Sequence, residues 1–230
     1  MNERGIGTVI VTGGASGLGA AVAHAVAEAG GSPVVFDVRP SRDGIAHETV
    51  DIGDREATEA AVQRVAEQTG GLDAVVTSAG TDSCGRLDEV DGAEWDRVIR
   101  VNLCGTAAVV RAALPHLKKS RGRVVTVAST LGLRALPDAT AYCASKFGIV
   151  GFTRALSKEV AGEVGVTCLI PGGMSTAFFD GRIEKYKPAP DAPLNRPEDV
   201  AQAAIFALRQ PWGCEVREIL VTPSLETSWP

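Results

Sequence analysis

The chain of 230 residues has only three histidines, His24, His47 and His116, and their positions show no metal-ligand spacing. Its five cysteines, Cys84, Cys104, Cys143, Cys168 and Cys214, are odd in number, widely spaced and without a CxxC pair. That pattern argues against a disulfide framework or a zinc site and for free thiols in a reducing compartment. No apolar stretch approaches the ~20 residues of a membrane-spanning helix. The opening Met1-Asn2-Glu3-Arg4 leads directly into a strand-like run rather than a signal sequence, so a cytoplasmic location is expected. Basic charge is also in short supply. The 23 Lys and Arg against 28 Asp and Glu give a net charge of −5, and Lys118-Lys119 is the one adjacent basic pair. Nucleic acid and anionic membrane are therefore not expected partners.

A 45% hydrophobic and 22% charged composition, with mean hydropathy +0.09, is that of an ordinary globular chain. Short β-rich apolar runs alternate with longer Ala-rich segments of helical period. Seven runs read as strands: Thr8 to Thr12, Pro33 to Val38, Glu48 to Val50, Leu72 to Thr77, Arg123 to Ser129, Val164 to Ile170 and Val216 to Thr222. Helices are expected over Leu18 to Ala29, from an Asp54 N-cap to Gln68, Trp95 to Lys119, Ala141 to Gly162 and Pro197 to Arg209. The third of these is expected to bend at Gly105 and near Pro115. This alternation implies one α/β domain over residues 1–230, a doubly wound parallel sheet of Rossmann type with helices on both faces. Ligands of such sheets bind beyond the carboxyl ends of the strands. The long irregular stretch Gly172 to Arg196 is a candidate substrate loop.

Three features carry chemistry. Thr12-Gly13-Gly14-Ala15-Ser16-Gly17-Leu18-Gly19 lies between the first strand and first helix, where glycines permit a tight turn and close approach of a pyrophosphate to the helix N-terminus. Asp37 ends the second strand, where a carboxylate can accept hydrogen bonds from ribose hydroxyls and repels a 2′-phosphate. No Lys or Arg lies within the glycine loop, and Arg39 is expected to point away from it, so NAD is favoured over NADP. Finally, Tyr142 and Lys146 stand one helical turn apart, downstream of Ser129 at a strand end. A cation beneath the phenol would lower its pKa and fit it for general acid/base work. Asn102 is a mediocre helix former within an apolar helical run, a second sign of a functional position.

The motifs TGGASGLG, Asp37, Asp51-Ile52, Ser78-Ala79-Gly80, Asn102, Ser129, YCASK and PGGMST follow one another in an order that resembles the short-chain dehydrogenase/reductase family over nearly the whole chain. The resemblance implies a catalytic set of Asn102, Ser129, Tyr142 and Lys146, with Asn102 at a helical kink whose freed carbonyl holds a proton-relay water. It implies that Gly13, Ser16, Gly17, Leu18, Gly19, Asp37, Asp51, Ile52, Ser78, Ala79, Gly80, Tyr142, Lys146, Met174 and Thr176 bind the dinucleotide. Asp51 and Ile52 would contact adenine, and Met174 and Thr176 would hold the carboxamide of the nicotinamide. The implied reaction is hydride transfer between NAD(H) and a secondary alcohol/ketone, in a homotetramer or homodimer paired through the two long helices.

The chain departs from the family where Asn-Asn-Ala-Gly is usual, reading Thr77-Ser78-Ala79-Gly80, so the side-chain role of Ser78 is weakened. Its C-terminus lacks the glycine-rich strand of many relatives, and the tail Ser224 to Pro230, with Trp229, reads as a frayed end or as packing on a neighbouring subunit. Leu131, Leu133, Leu136, Met174, Phe178 and Phe179 suggest an apolar pocket, and Arg182, Lys185 and Lys187 read as a solvated basic loop rather than an anion site. Two other functions are compatible with parts of the pattern. A non-catalytic NAD-binding regulator would share the fold, and a methyltransferase would share the glycine turn but gives no reason for the Ser129, Tyr142 and Lys146 spacing.

Overall fold

The computed structural model describes residues 5–41 and 44–226. Seven strands form one parallel sheet: β1 (Thr8–Thr12), β2 (Ser32–Asp37), β3 (Ala46–Thr49), β4 (Ala74–Thr77), β5 (Arg123–Val127), β6 (Gly165–Pro171) and β7 (Glu218–Val221). Their spatial order is β3-β2-β1-β4-β5-β6-β7. The order reverses between β1 and β4, and this switch point leaves a crevice at the carboxyl edge. Register places Thr12 beside both Phe36 and Thr77. The expected fold class is thus the observed one, with strand ends shifted by a few residues.

Among the described residues six α-helices accompany the sheet: α1 (Gly17–Glu28), α2 (Arg55–Thr69), α3 (Gly92–Ile99), α4 (Thr106–Ser120), α5 (Thr140–Glu159) and α6 (Pro197–Leu208). Their ends follow local chemistry. Asp54 caps α2 by accepting from the Ala57 N–H at 3.0 Å, and Gly70 closes it in the left-handed region at φ 75°. Asp91 caps α3 by accepting from Ala93 and Glu94. Helices α1 and α6 pack on one face against Val9, Val11, Val35, Val76 and Leu169. Helices α2 and α4 pack on the other against Ile10, Phe36, Val75 and Val124. Each large side chain buried there contributes roughly 1.5–3 kcal/mol.

Helices α3 and α4 form one continuous stretch joined by a π-helical turn, Arg100–Gly105. The turn ends at Gly105, where a bend is expected and a Cβ would stand 2.7 Å from the Ile52 carbonyl oxygen. Pro115 lies inside α4, which nevertheless runs on to Ser120. The whole stretch, Gly92–Ser120, is 29 residues and by length and composition apolar enough to cross a membrane, which corrects the sequence reading. Scattered polar residues hid the run. Within this fold 56% of its most apolar window is buried, as befits a helix packed on the sheet and on α2.

Candidate active site

The glycine loop leaves β1 with Gly13 at φ 69°, a conformation that favours glycine. Gly13 N–H donates to the Phe36 carbonyl, and a Cβ on Gly13 would stand 2.7 Å from Ala79 Cα. Thr12 Oγ1 accepts from the Ala79 N–H at 3.0 Å, tying the ends of β1 and β4 together across the switch point. A Cβ at Gly19 would strike the Gly13 carbonyl, and one at Gly17 would come 3.4 Å from Thr176. The loop is therefore a backbone cradle at the N-terminus of α1, walled by Ala79 on one side and Thr176 on the other. Leu18 packs into the core beneath it.

Asp37 is buried at the end of β2. Its Oδ2 accepts from the Ala15 N–H at 3.1 Å and its Oδ1 from the Arg39 N–H at 3.0 Å. The Arg39 turn folds its side chain back over the loop. Its guanidinium donates to Ser16 Oγ at 2.7 Å and lies 3.6 Å from Asp37. The expectation that Arg39 points away is thus wrong, because the Asp37 carboxylate and the Ser16 hydroxyl draw its guanidinium back over the loop. Asp51 is exposed and accepts from the Gly53 N–H at 2.8 Å, while the Ile52 side chain is in the core. Only the Ile52 backbone is left to face a ligand.

Ser129, Tyr142, Lys146 and Asn102 converge at the ends of β4 and β5. Ser129 caps a short 3-10 turn by accepting from Leu131 N–H at 3.1 Å, and its hydroxyl is hydrogen-bonded to the Tyr142 phenol. Lys146 is 5% exposed, and among the described residues its one hydrogen bond goes to the Val127 carbonyl at 2.9 Å. Its Nζ lies 5.5 Å from the Tyr142 ring centroid. Burial pushes the ammonium down to about 8 and the phenol up to about 12, the Ser129 hydrogen bond only partly opposing the latter. The chain's own groups therefore do not lower the Tyr142 pKa as the i, i+4 spacing suggests. Desolvation outweighs a cation that sits beside the ring and whose own charge burial disfavours.

Asn102 sits in the π-turn and is 1% exposed. Its amide nitrogen donates to the Thr81 carbonyl at 2.9 Å and to Ser145 Oγ at 3.0 Å, and its Oδ1 accepts from the Thr81 N–H at 2.8 Å. Ser145 in turn donates to the Tyr142 carbonyl at 2.8 Å. The Asn102 carbonyl, expected to hold a relay water, accepts from the Thr106 hydroxyl at 2.8 Å, which occupies one of its two lone pairs. Gly80 lies between Asn102 and Lys146: a Cβ there would come 3.6 Å from Asn102 Oδ1 and 3.8 Å from Lys146 Nζ.

This constellation has counterparts. The short chain dehydrogenase family profile matches residues 7–187. The chain belongs to that family. It is 34% identical to an uncharacterized oxidoreductase of Staphylococcus aureus (strain MW2), over 93% of this chain and 96% of that one. It is also 32% identical to a 3-oxoacyl-[acyl-carrier-protein] reductase of Chlamydia muridarum, covering 86% of this chain and 88% of the relative. Among solved structures it superposes on the ligand-free aldohexose dehydrogenase of Thermoplasma acidophilum with a TM-score of 0.85 at 22% identity, covering 94% and 92% of the two chains. The alcohol dehydrogenase of Thermococcus sibiricus complexed with 5-hydroxy-NADP gives 0.84 at 24% identity, covering 95% and 96%. The last two likenesses are of fold. The protein is an oxidoreductase of this family, whose members bind a nicotinamide dinucleotide.

The residues present fit such a group. The glycine cradle has no room for side chains but offers backbone N–H groups, and buried Lys146 keeps two donors beyond Val127, as a ribose diol requires. Ala79 and Gly80 stand against the glycine loop and Lys146, and Thr176 stands against Gly17 from the other side, whereas Met174 bridges to Asn195 and packs on the core. Features that the sequence reading missed lie in the loops. Asp82 pairs with Arg182 at 2.6 Å, with side chains only 6% and 19% exposed, so Arg182 is no part of a solvated basic loop. Lys185 and Tyr186 both donate to Asp138 Oδ2, and Lys187 pairs with Glu184. Leu133 packs on the core, whereas Leu136 is exposed and does not help wall an apolar pocket. The tail folds back: Glu226 Oε2 accepts from the Gly173 N–H at 2.9 Å, while Trp229 lies outside the described residues.

The Lys146 shift has a consequence for stability. Its folded pKa is lowered to about 8 from 10.5, so between these values the unfolded chain holds a proton that the folded chain has released. Its contribution to stability therefore rises with pH through that window and is lost as pH falls through 8. In urea denaturation, the stability of wild type relative to Lys146→Met should increase by ~2 kcal/mol between pH 7.5 and 10. A difference that stays flat would mean the ammonium is not desolvated.

Proposed function

We propose that the protein transfers a hydride between NAD(H) and a secondary alcohol/ketone pair, with Tyr142 as general acid/base. The observation that carries this reading is the meeting of Tyr142, Ser129 and buried Lys146 beside the glycine cradle. When bound, the nicotinamide supplies the hydride acceptor or donor. In the oxidation direction Tyr142 as phenolate takes the substrate hydroxyl proton and becomes the phenol, and in reduction the phenol gives its proton to the carbonyl oxygen. Ser129 donates to the substrate oxygen and fixes its distance from Tyr142. Lys146 binds the nicotinamide ribose, and its charge favours the phenolate once dinucleotide contacts hold the ammonium. Asn102 positions Gly80–Thr81 and α5 around this centre.

General acid/base catalysis of this kind is worth roughly 10²–10⁴-fold. Tyr142→Phe should lower kcat/KM for alcohol oxidation by that much while NAD binding in calorimetry stays near wild type. Wild-type turnover would remove Tyr142 from the role. NAD binding with no turnover by wild type over a broad alcohol panel would favour the non-catalytic regulator.

NAD rather than NADP is supported by the position of Asp37, whose carboxylate is the inner, buried group while Arg39 is largely exposed and engaged with Asp37 and Ser16. A 2′-phosphate would meet the carboxylate at close range, and such like-charge contacts cost several kcal/mol. Asp37→Ser should then free Arg39 and raise the NADP-to-NAD ratio of kcat/KM by about 10–100-fold. A wild type that prefers NADP, or an unchanged ratio in the variant, overturns the assignment.

The same proposal includes a homodimer or homotetramer paired through the π-turn with α4 and through α5, supported by the exposed Cys104 of the turn and Phe147 of α5. Light scattering checks it, and a monomer at working concentration contradicts it.

A further inference from the structure

The loop after β6 carries its own charge system to Tyr142. Arg182 lies over the aromatic rings of Phe178 and Phe179, 5.1 and 4.6 Å from their centroids, and the Phe178 ring is 5.7 Å from that of Tyr142. Its guanidinium donates to Asp82 Oδ2 at 2.6 Å and to the Tyr186 carbonyl at 3.3 Å. Asp82 also accepts from the Ser83 N–H at 2.8 Å and the Cys84 thiol at 3.1 Å. Burial and this bond push Cys84 up to about 12, so it stays a neutral donor. Both partners of the ion pair act on the Tyr142 hydroxyl, Asp82 raising its pKa and Arg182 lowering it. The pair is therefore within electrostatic reach of the reacting oxygen.

A guanidinium placed there would ordinarily bind a carboxylate on the substrate. In this chain the fork already holds a carboxylate. An incoming anion would either crowd Asp82 or displace it from Arg182, leaving a buried charge unpaired, and both are costly. An uncharged substrate leaves the pair intact. We propose that Asp82, by occupying Arg182, is a specificity-determining residue that restricts the substrate pocket to uncharged alcohols and ketones and excludes those bearing a carboxylate beside the reacting carbon. This rests on the hydride-transfer reading above.

The test compares 1-phenylethanol with mandelate, in which a carboxylate replaces the methyl group, using NAD and wild type, Asp82→Asn, Arg182→Gln and the double variant. Wild type should favour 1-phenylethanol. Asp82→Asn should shift the mandelate-to-phenylethanol ratio of kcat/KM by about tenfold or more towards mandelate. Arg182→Gln and the double variant should show no such gain. A ratio unmoved by Asp82→Asn, or a wild type that prefers mandelate, overturns the proposal. If no variant oxidises these or any alcohol of a broad panel while NAD still binds, the hydride-transfer reading fails. Mandelate binding to the NAD-loaded proteins by calorimetry then decides this one: a roughly tenfold gain in Asp82→Asn supports it, and equal affinity sinks it.

Discussion

The buried amide of Asn102 is the contact on which the rest of the site depends. With three hydrogen bonds it fixes both backbone groups of Thr81 and the hydroxyl of Ser145, which continues to the Tyr142 carbonyl. A single side chain thereby joins the exit of β4, the π-turn and the helix that carries Tyr142 and Lys146. An amide is suited to this because it donates and accepts at once, and buried in low dielectric each bond is costly to leave unmade. The π-turn is the local distortion that lets Asn102 reach inward from an otherwise regular helix, a use often found at functional sites. Gly105 permits it by bringing the turn against the Ile52 carbonyl.

Burial governs the electrostatics as much as it does the packing. Burial shifts Lys146 and Tyr142 both towards their neutral forms, so near neutral pH the phenol stays protonated and the ammonium keeps its charge by a narrow margin. Further charge enters the site at its mouth. There Asp82 and Arg182 neutralise each other against an aromatic floor, and Asp138 collects Lys185 and Tyr186. The loop after β6 is thus fastened to the loops after β4 and β5 by polar contacts, and the fold brings all three to one sheet edge. The C-terminal Glu226 adds a fourth fastening at Gly173.

The fold was legible because its signals are local and periodic. Buried strands, capped helices and glycine turns repeat along the chain, and the parallel sheet follows from their alternation. The candidate site was legible where spacing alone brings groups together: the glycine loop between β1 and α1, the strand-end Asp37, and Tyr142 with Lys146 one turn apart. Legibility failed where a side chain had two directions open to it. Arg39 could face solvent or the loop, and the Asp37 carboxylate and the Ser16 hydroxyl drew it to the loop. Arg182 lies 100 residues from Asp82, so its pairing leaves no trace in composition or period.

The amino-acid sequence by itself determined the doubly wound sheet, the glycine turn and the identity of the Ser129, Tyr142 and Lys146 group, since each leaves a periodic or short-range signal along the chain. Tertiary structure alone decided the sign of the Tyr142 shift, the inward clamp of Asn102 and the neutralisation of Arg182. These depend on how much water packing removes and on which distant charges it brings within a few ångströms, and neither is written in the spacing of residues along the chain.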